Sequence, residues 1–159
     1  MYASPETMKT LRTMYGWAFE SGKARTGYVR PEPHEATEPF RVGSVLATPL
    51  PVDHAAVDTC AYMLESGGRR LVYMPDVKSI PEASLERMKG ADLLIIDGLR
   101  YDLHSTHMCL DESLAAIRAI EPGQAFLTHL SHNMDYRILS GRLPENVGAA
   151  YDGLRLSLP

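Results

Sequence analysis

Apolar and polar positions recur along this chain with the periods of short strands and helices. Two strands are predicted over residues 40–52, on either side of Gly43-Ser44. A hairpin is predicted over 59–74, because two apolar runs flank the turn Gly67-Gly68. The segment 92–97 (Asp-Leu-Leu-Ile-Ile-Asp) is apolar on both faces of a strand and therefore predicts a buried one.

The amino-terminal segment predicts a helix followed by a long loop. Ser4-Pro5-Glu6 places a capping hydroxyl before a proline at the first helical position, and the helical spacing ends near Gly16. Residues 16–39 carry glycines, prolines and charges without a sustained period, which favours a long loop or lid.

Strands and helices alternate in the rest of the chain. Helices are predicted at 79–90, 110–120 and 135–140, and strands at a segment ending at His129, around 149–151 and over 154–158. An antiparallel start followed by this alternation predicts one mixed α/β sheet covered by helices.

Composition and charge limit the function classes. The 159 residues are 45% hydrophobic and 23% charged, which is typical of a globular protein. The net charge of -4 makes nucleic acid an unlikely partner. Cys60 and Cys109 have no CxxC spacing and are expected to be buried thiols in a reducing compartment. No apolar run approaches the ~18 residues of a membrane span, so a cytoplasmic location without a membrane partner is expected.

Three side chains stand just past the ends of apolar runs. His54 follows the run 46–52, Asp76 follows the run 71–75, and His129 follows the run 125–128. Polar groups at the carboxyl ends of buried strands converge on one edge of a sheet. Histidine with a carboxylate is the ligand set of a hydrolytic metal site, so a single site containing these three residues is predicted.

Seven segments of the chain form a specific series when they are taken together and in order. They are Thr48-Pro49-Leu50-Pro51-Val52-Asp53-His54, the strand ending in Asp76, Ile80-Pro81-Glu82, Asp92-Leu93-Leu94-Ile95-Ile96-Asp97-Gly98-Leu99-Arg100, His104-Ser105-Thr106-His107, Leu127-Thr128-His129-Leu130-Ser131-His132 and Ala150-Tyr151-Asp152-Gly153-Leu154. This series resembles the metallo-β-lactamase superfamily, and within it the branch of the phosphoribosyl cyclic phosphodiesterases. The resemblance implies the αββα fold and a metal-dependent phosphodiesterase acting on a cyclic or other small phosphodiester.

The resemblance also implies a centre of two divalent metal ions, Zn or Mn, with a bridging hydroxide that attacks phosphorus. By their motif positions, His54 resembles a ligand of the first metal, Asp76 the catalytic carboxylate that bridges both, and His129 a ligand of the second. His107 resembles the histidine that faces the substrate and protonates the leaving oxygen. The alternative for His107 is a cap on the helix near residue 110.

Three further side chains are candidates for supporting the ligands. Asp97 either orients a ligand or binds a backbone amide. His104 and His132 either hold a ligating imidazole or lie on the surface.

Two departures from the family pattern matter. Ala55-Ala56 follows His54, where the family often has glycine. No His-x-His pair occurs, so the His-x-His-x-Asp-His signature is absent. We therefore expect residues 1–159 to form a single incomplete domain, the carboxyl-terminal portion of the fold. Alone it would be inactive, with an apolar sheet edge that could pair in a homodimer.

Two rival interpretations remain open. Transfer-RNA 3′-processing nucleases carry His-Glu-Ala-Thr and His-Ser-Thr strings, and this chain has both, at 34–37 and 104–106. The first string lies before His54 and Asp76 here, whereas in that branch it follows the bridging aspartate. The other rival is a non-catalytic descendant that uses the fold for binding or assembly.

Overall fold

A computed structural model describes residues 1–19 and 30–158. Its elements, in chain order, are β1 (Tyr2–Ala3), α1 (Pro5–Met14), α2 (Gly16–Phe19), β2 (His34–Glu35), β3 (Phe40–Val42), β4 (Val45–His54), β5 (Val57–Ser66), β6 (Arg69–Met74), α3 (Glu82–Met88), β7 (Leu93–Asp97), α4 (Leu110–Ile120), β8 (Gln124–Thr128), α5 (Tyr136–Ser140) and β9 (Val147–Ala149).

The central sheet has seven strands in the order β3-β4-β5-β6-β7-β8-β9. Neighbours from β3 to β6 are antiparallel, and those from β6 to β9 are parallel. Because β4 and β6 are both antiparallel to β5, β4 runs in the same direction as β6, β7 and β8. The carboxyl ends of these four strands therefore lie at one edge of the sheet, and the predicted mixed α/β fold is confirmed.

Local turn chemistry sets the hairpins. Gly67 and Gly68 both have positive φ, at 57° and 76°, as a tight turn between β5 and β6 requires. Ala55 and Ala56 form the two-residue turn between β4 and β5, where His54 pairs with Val57. The φ of Ala55 is 53°, in the left-handed region that an alanine rarely adopts.

The core lies between one face of the sheet and the helices α3, α4 and α5. Val72, Met74, Leu94, Ile96 and Leu127 contribute fully buried side chains from the sheet. Buried residues of the three helices join the same cluster, namely Met88, Leu110, Ile117, Ile120 and Leu139. Burial of this apolar surface fixes the central strands, and therefore their carboxyl ends.

The opposite face of the sheet carries a row of large side chains. Pairing across β4 to β8 aligns Pro49, Tyr62, Tyr73, Ile95 and Phe126 on this face. All five remain partly or largely accessible, and Tyr73 is 44% exposed. An accessible surface with several apolar side chains therefore runs across this face, while the apolar sheet edge expected from the sequence stays a prediction.

Several sequence expectations need correction. Residues 154–158 are not a strand, because their alternating leucines find no paired neighbour in the described chain and Leu156 is 37% exposed. The helix expected from residue 79 begins at Glu82, since the hydroxyl of Ser79 donates to Asp53 instead of capping it. Cys109 is buried as expected, but Cys60 is only partly buried.

The segment predicted as a loop over 16–39 contains α2 and β2, while its residues 20–29 lie outside the described part. The predicted first helix is confirmed: the side chain of Ser4 accepts from the amide of Thr7. In the described ranges, no helix is both long and apolar enough to cross a membrane.

Candidate metal centre

Side chains from three strand ends meet at the carboxyl edge of the sheet. His54 is the last residue of β4, Asp76 lies two residues beyond β6, and His129 directly follows β8. One donor atom each from His54, Asp76 and His107 lies within 4.8 Å of the others. The Nε2 atom of His129 is 3.7 Å from Oδ1 of Asp76. The carboxylate of Asp76 therefore lies close to all three imidazoles.

The imidazole of His107 occupies the middle of this group. Its ring centroid lies 4.5 Å from that of His54 and 4.8 Å from that of His129. On a third side, the ring of His104 lies 5.2 Å away. The structure thus brings together the residues that the sequence singled out, while their roles as ligands and acid stay predictions.

A backbone carbonyl fixes the imidazole of His54. Nδ1 of His54 lies 2.9 Å from the carbonyl oxygen of Thr106. Because a carbonyl can only accept, Nδ1 carries the proton and donates it. Nε2 then keeps its lone pair, which makes it the nitrogen available to a metal ion.

His107 is held by the buried carboxylate of Asp97. Nδ1 of His107 donates to Oδ2 of Asp97 over 2.7 Å, and the Asp97 side chain is 0% exposed. The alternative role of His107 as a helix cap is wrong, because the amide of Cys109 at the start of α4 donates to Glu112. The Nε2 atom of His107 is thereby left for the site.

Asp97 is the last residue of β7, and its carboxylate binds backbone amides of two neighbouring loops. Oδ2 also accepts from the amide of Val77, and Oδ1 accepts from the amide of Leu99. Three donors compensate the burial of this carboxylate, which would otherwise be costly. Asp97 therefore binds backbone amides, one of the two options that the sequence offered, and it also holds His107, while its orientation of a metal ligand stays a prediction.

The two remaining histidines differ in their surroundings. His104 is half-buried, and its pKa is lowered by desolvation and by the charges of Arg100 and His107. His132 lies exposed in a turn. In the described residues it makes no hydrogen bond to any of the candidate ligands, so its supporting role stays a prediction.

The strings that suggested a transfer-RNA nuclease lie in different elements of the fold. His34 and Glu35 form β2, which pairs with β1, and the His34 ring stacks on Tyr2 at 4.8 Å. In residues 1–19 and 30–158, this string makes no hydrogen bond, ion pair or ring contact with the histidine cluster. The second string, at 104–106, does lie in the site.

Comparison with known proteins agrees with this arrangement. The model for the beta-lactamase superfamily domain matches residues 1–130. The chain belongs to this family. The crystal structure of a diphosphatase of the PhnP family is 28% identical to this chain and has a TM-score of 0.86. The match covers 99% of this chain and 58% of the diphosphatase. The expected resemblance to the metallo-β-lactamase superfamily and its PhnP-like branch is confirmed.

Two further relatives extend the comparison. The structure of zinc-bound PqqB from Methylobacterium extorquens is 22% identical with a TM-score of 0.74, covering 99% of this chain and 64% of that one. An octanoyltransferase of Porphyromonas gingivalis is 29% identical over 118 residues, which are 73% of this chain and 23% of that protein. The chain thus spans less than two thirds of each of these relatives.

The donors of this beta-lactamase superfamily domain suit a divalent ion. His54 donates from Nδ1 to a backbone oxygen, which is the usual arrangement behind a ligating imidazole. The carboxylate of Asp76 is 44% exposed and makes no hydrogen bond in the described chain. Its oxygens are therefore free to coordinate, and the mixed nitrogen and oxygen set fits Zn or Mn.

Thr106 is the residue that the sequence argument missed. Its contribution to the centre is a backbone carbonyl, and a carbonyl leaves no side-chain signature. The only available signal was its place between His104 and His107, which marks a loop that must reach the strand ends.

Proposed function

We propose that the protein is a metal-dependent phosphodiesterase that hydrolyses cyclic or other small phosphodiesters. The observation that carries the proposal is the group of His54, Asp76, His107 and His129 around one point of the sheet edge. Membership of the PhnP-like branch supports phosphorus chemistry, since a relative of that branch is described as a diphosphatase.

In this proposal His54, Asp76 and His129 would hold two divalent ions, and the carboxylate of Asp76 would contribute to both. Bound ions of this kind lower the pKa of a shared water and stabilise the charge of an in-line displacement. Asp76 and His129 are 44% and 43% exposed at their side chains, so substrate reaches them from solvent. The fixed Nδ1 proton of His54 keeps Nε2 directed at the centre.

His107 is assigned to the leaving group. With Nδ1 held by Asp97, its Nε2 atom is the position from which a proton can pass to the departing alkoxide. The carboxylate of Asp97 keeps the ring of His107 in the orientation that this transfer needs. A positioned general acid of this type contributes about 10²–10⁴-fold to the rate.

The experiment uses the natural full-length protein with bis-(p-nitrophenyl) phosphate and either Zn or Mn. Asp76→Ala should abolish turnover and release metal, because a shared carboxylate is lost. Asp152→Ala, at an exposed carboxylate in the turn after β9, is the matched control and should keep both. Full turnover by Asp76→Ala, or no diester hydrolysis by the metal-loaded wild type, would refute the proposal.

A further inference from the structure

Two histidines of the centre are linked through one residue of the loop. Nδ1 of His104 lies 3.3 Å from the amide nitrogen of Thr106 and 3.2 Å from its Oγ1 atom. On its other side, the carbonyl oxygen of Thr106 accepts from Nδ1 of His54 over 2.9 Å. A hydrogen-bonded path therefore runs from His104 through the Thr106 residue to a candidate metal ligand.

Donor and acceptor roles along this path are fixed by chemistry. A peptide N–H can only donate, so Nδ1 of His104 must carry a lone pair and the proton must be on Nε2. His54 has the opposite tautomer, with its proton on Nδ1. The neutral form that His104 needs agrees with the direction of its pKa shift.

His104 itself is poorly placed to be a ligand. Its lone pair is already directed at Thr106, and its other ring nitrogen carries a proton. Within the described ranges, the group of donor atoms that could hold an ion consists of His54, Asp76 and His107, without His104. The half-buried ring of His104 instead lies 5.2 Å from that of His107.

We propose that His104 is a positioning residue of the metal centre: by accepting from the amide of Thr106 it holds this residue in place, and the carbonyl of Thr106, in the next peptide unit, orients His54. The hydrogen bond from a side chain to the amide two residues later is the pattern that asparagine and aspartate form in turns. An asparagine at position 104 can therefore supply an equivalent acceptor, whereas an alanine cannot. This difference separates orientation by a hydrogen bond from simple filling of space.

The test measures zinc affinity of the natural full-length protein by competition with a chromogenic chelator. His104→Ala should weaken zinc binding about 10–100-fold, as is usual when a partner that orients a ligand is lost. His104→Asn should restore most of that affinity. Ser105→Ala is the matched control, because Ser105 is exposed and makes no hydrogen bond within the described chain. Equal zinc affinity of His104→Ala and Ser105→Ala, or equal loss in the alanine and asparagine variants, would overturn the proposal.

A second measurement does not depend on any variant folding. Long-range ¹H–¹⁵N spectra of the wild-type protein report the tautomer of each histidine. We expect the Nε2–H form for His104 and the Nδ1–H form for His54. The Nδ1–H form at His104 would overturn the inference, because its nitrogen could no longer accept from Thr106.

Activity gives a separate reading, which rests on the proposed function. At saturating zinc, His104→Ala should recover most of its kcat for bis-(p-nitrophenyl) phosphate, since the lost property is ligand orientation. If the wild type binds zinc but hydrolyses no diester, the proposed phosphodiesterase fails, while the zinc and tautomer measurements still decide the role of His104.

Discussion

The fully buried carboxylate of Asp97 accepts a 2.7 Å hydrogen bond from Nδ1 of His107, ten residues further along the chain. Asp97 ends β7, and His107 lies in the loop that precedes α4. This bond connects a rigid strand of the core to the most central imidazole of the site. The position of that imidazole therefore depends on a residue that no substrate can reach.

Replacing Asp97 by asparagine should lower kcat by about 10–100-fold. Asp97 accepts from three donors, and an asparagine offers one acceptor oxygen, so its amide group must face one of these donors. Steady-state kinetics with saturating metal measures the effect. The same substitution in a His107→Ala background should cost little more, whereas an equal further loss would show that Asp97 acts elsewhere.

His107→Ala should retain the metal ions and lower turnover in a way that depends on the leaving group. Diesters with poorly departing alkoxides should lose about 10²–10⁴-fold, because they need a proton from Nε2. A nitrophenolate departs without much protonation and should be affected less. Loss of metal, or equal slowing of both substrate types, would place His107 among the ligands or the scaffold.

The 159-residue chain on its own should bind zinc weakly. The assigned ligands are His54, Asp76 and His129, and metal affinity follows ligand number and geometry. Two of these side chains are also more than 40% exposed. Titration calorimetry with zinc tests this expectation, and tight stoichiometric binding by the isolated chain would contradict it.

Ala55→Gly should stabilise the fold by about 1 kcal/mol. The φ of Ala55 is 53°, and the left-handed region costs a residue with a Cβ roughly 1–2 kcal/mol. Glycine removes this cost, but its greater freedom in the unfolded chain cancels part of the gain. The melting temperature should rise by about 2–4 °C. Ala56→Gly is the matched control, because Ala56 has no positive φ and should lose stability. A gain in both variants would argue against strain at Ala55.

Asp92→Asn should reduce stability at neutral pH and have little effect in acid. The backbone N–H of Arg70, and then the guanidinium of Arg69, hold the pKa of Asp92 below its usual 3.8. A lowered pKa in the folded state contributes stability above the unfolded value, and this is lost as the pH falls through the folded value. Thermal unfolding across pH measures the difference between variant and wild type. A difference that grows below pH 3.8 would contradict the assignment.

The sequence predicted the parts of the fold that local chemistry determines. Gly67-Gly68 fixed a hairpin because two positive φ angles are needed there, and the apolar run 93–96 forms most of β7, in which all side chains but that of Ile95 are buried. Residues 154–158 alternate equally well, yet no neighbouring strand of the described chain accepts them. Periodicity reports which residues could form a strand, whereas pairing depends on a partner elsewhere.

The sequence likewise predicted the strand-end residues of the site but not the hydrogen bonds that hold them. His54, Asp76 and His129 stand at strand ends, and the direction of the strands brings strand ends together without further information. The bonds from His107 to Asp97 and from His54 to Thr106 depend on the path of the loop 99–107. Residue types and spacing do not encode such a path, so these contacts required coordinates.

The register of β4 against β5 has a consequence for how the chain can change in length. His54 pairs with Val57 at one end of a hairpin whose other end pairs Leu46 with Glu65. Side chains alternate between faces, so one residue inserted within β4 or β5 would turn His54 away from Asp76, whereas two would restore its direction. We therefore expect natural variants of this protein to tolerate a single-residue insertion in the turn at Gly43-Ser44, before β4. We expect no such insertion within β4, between that turn and His54.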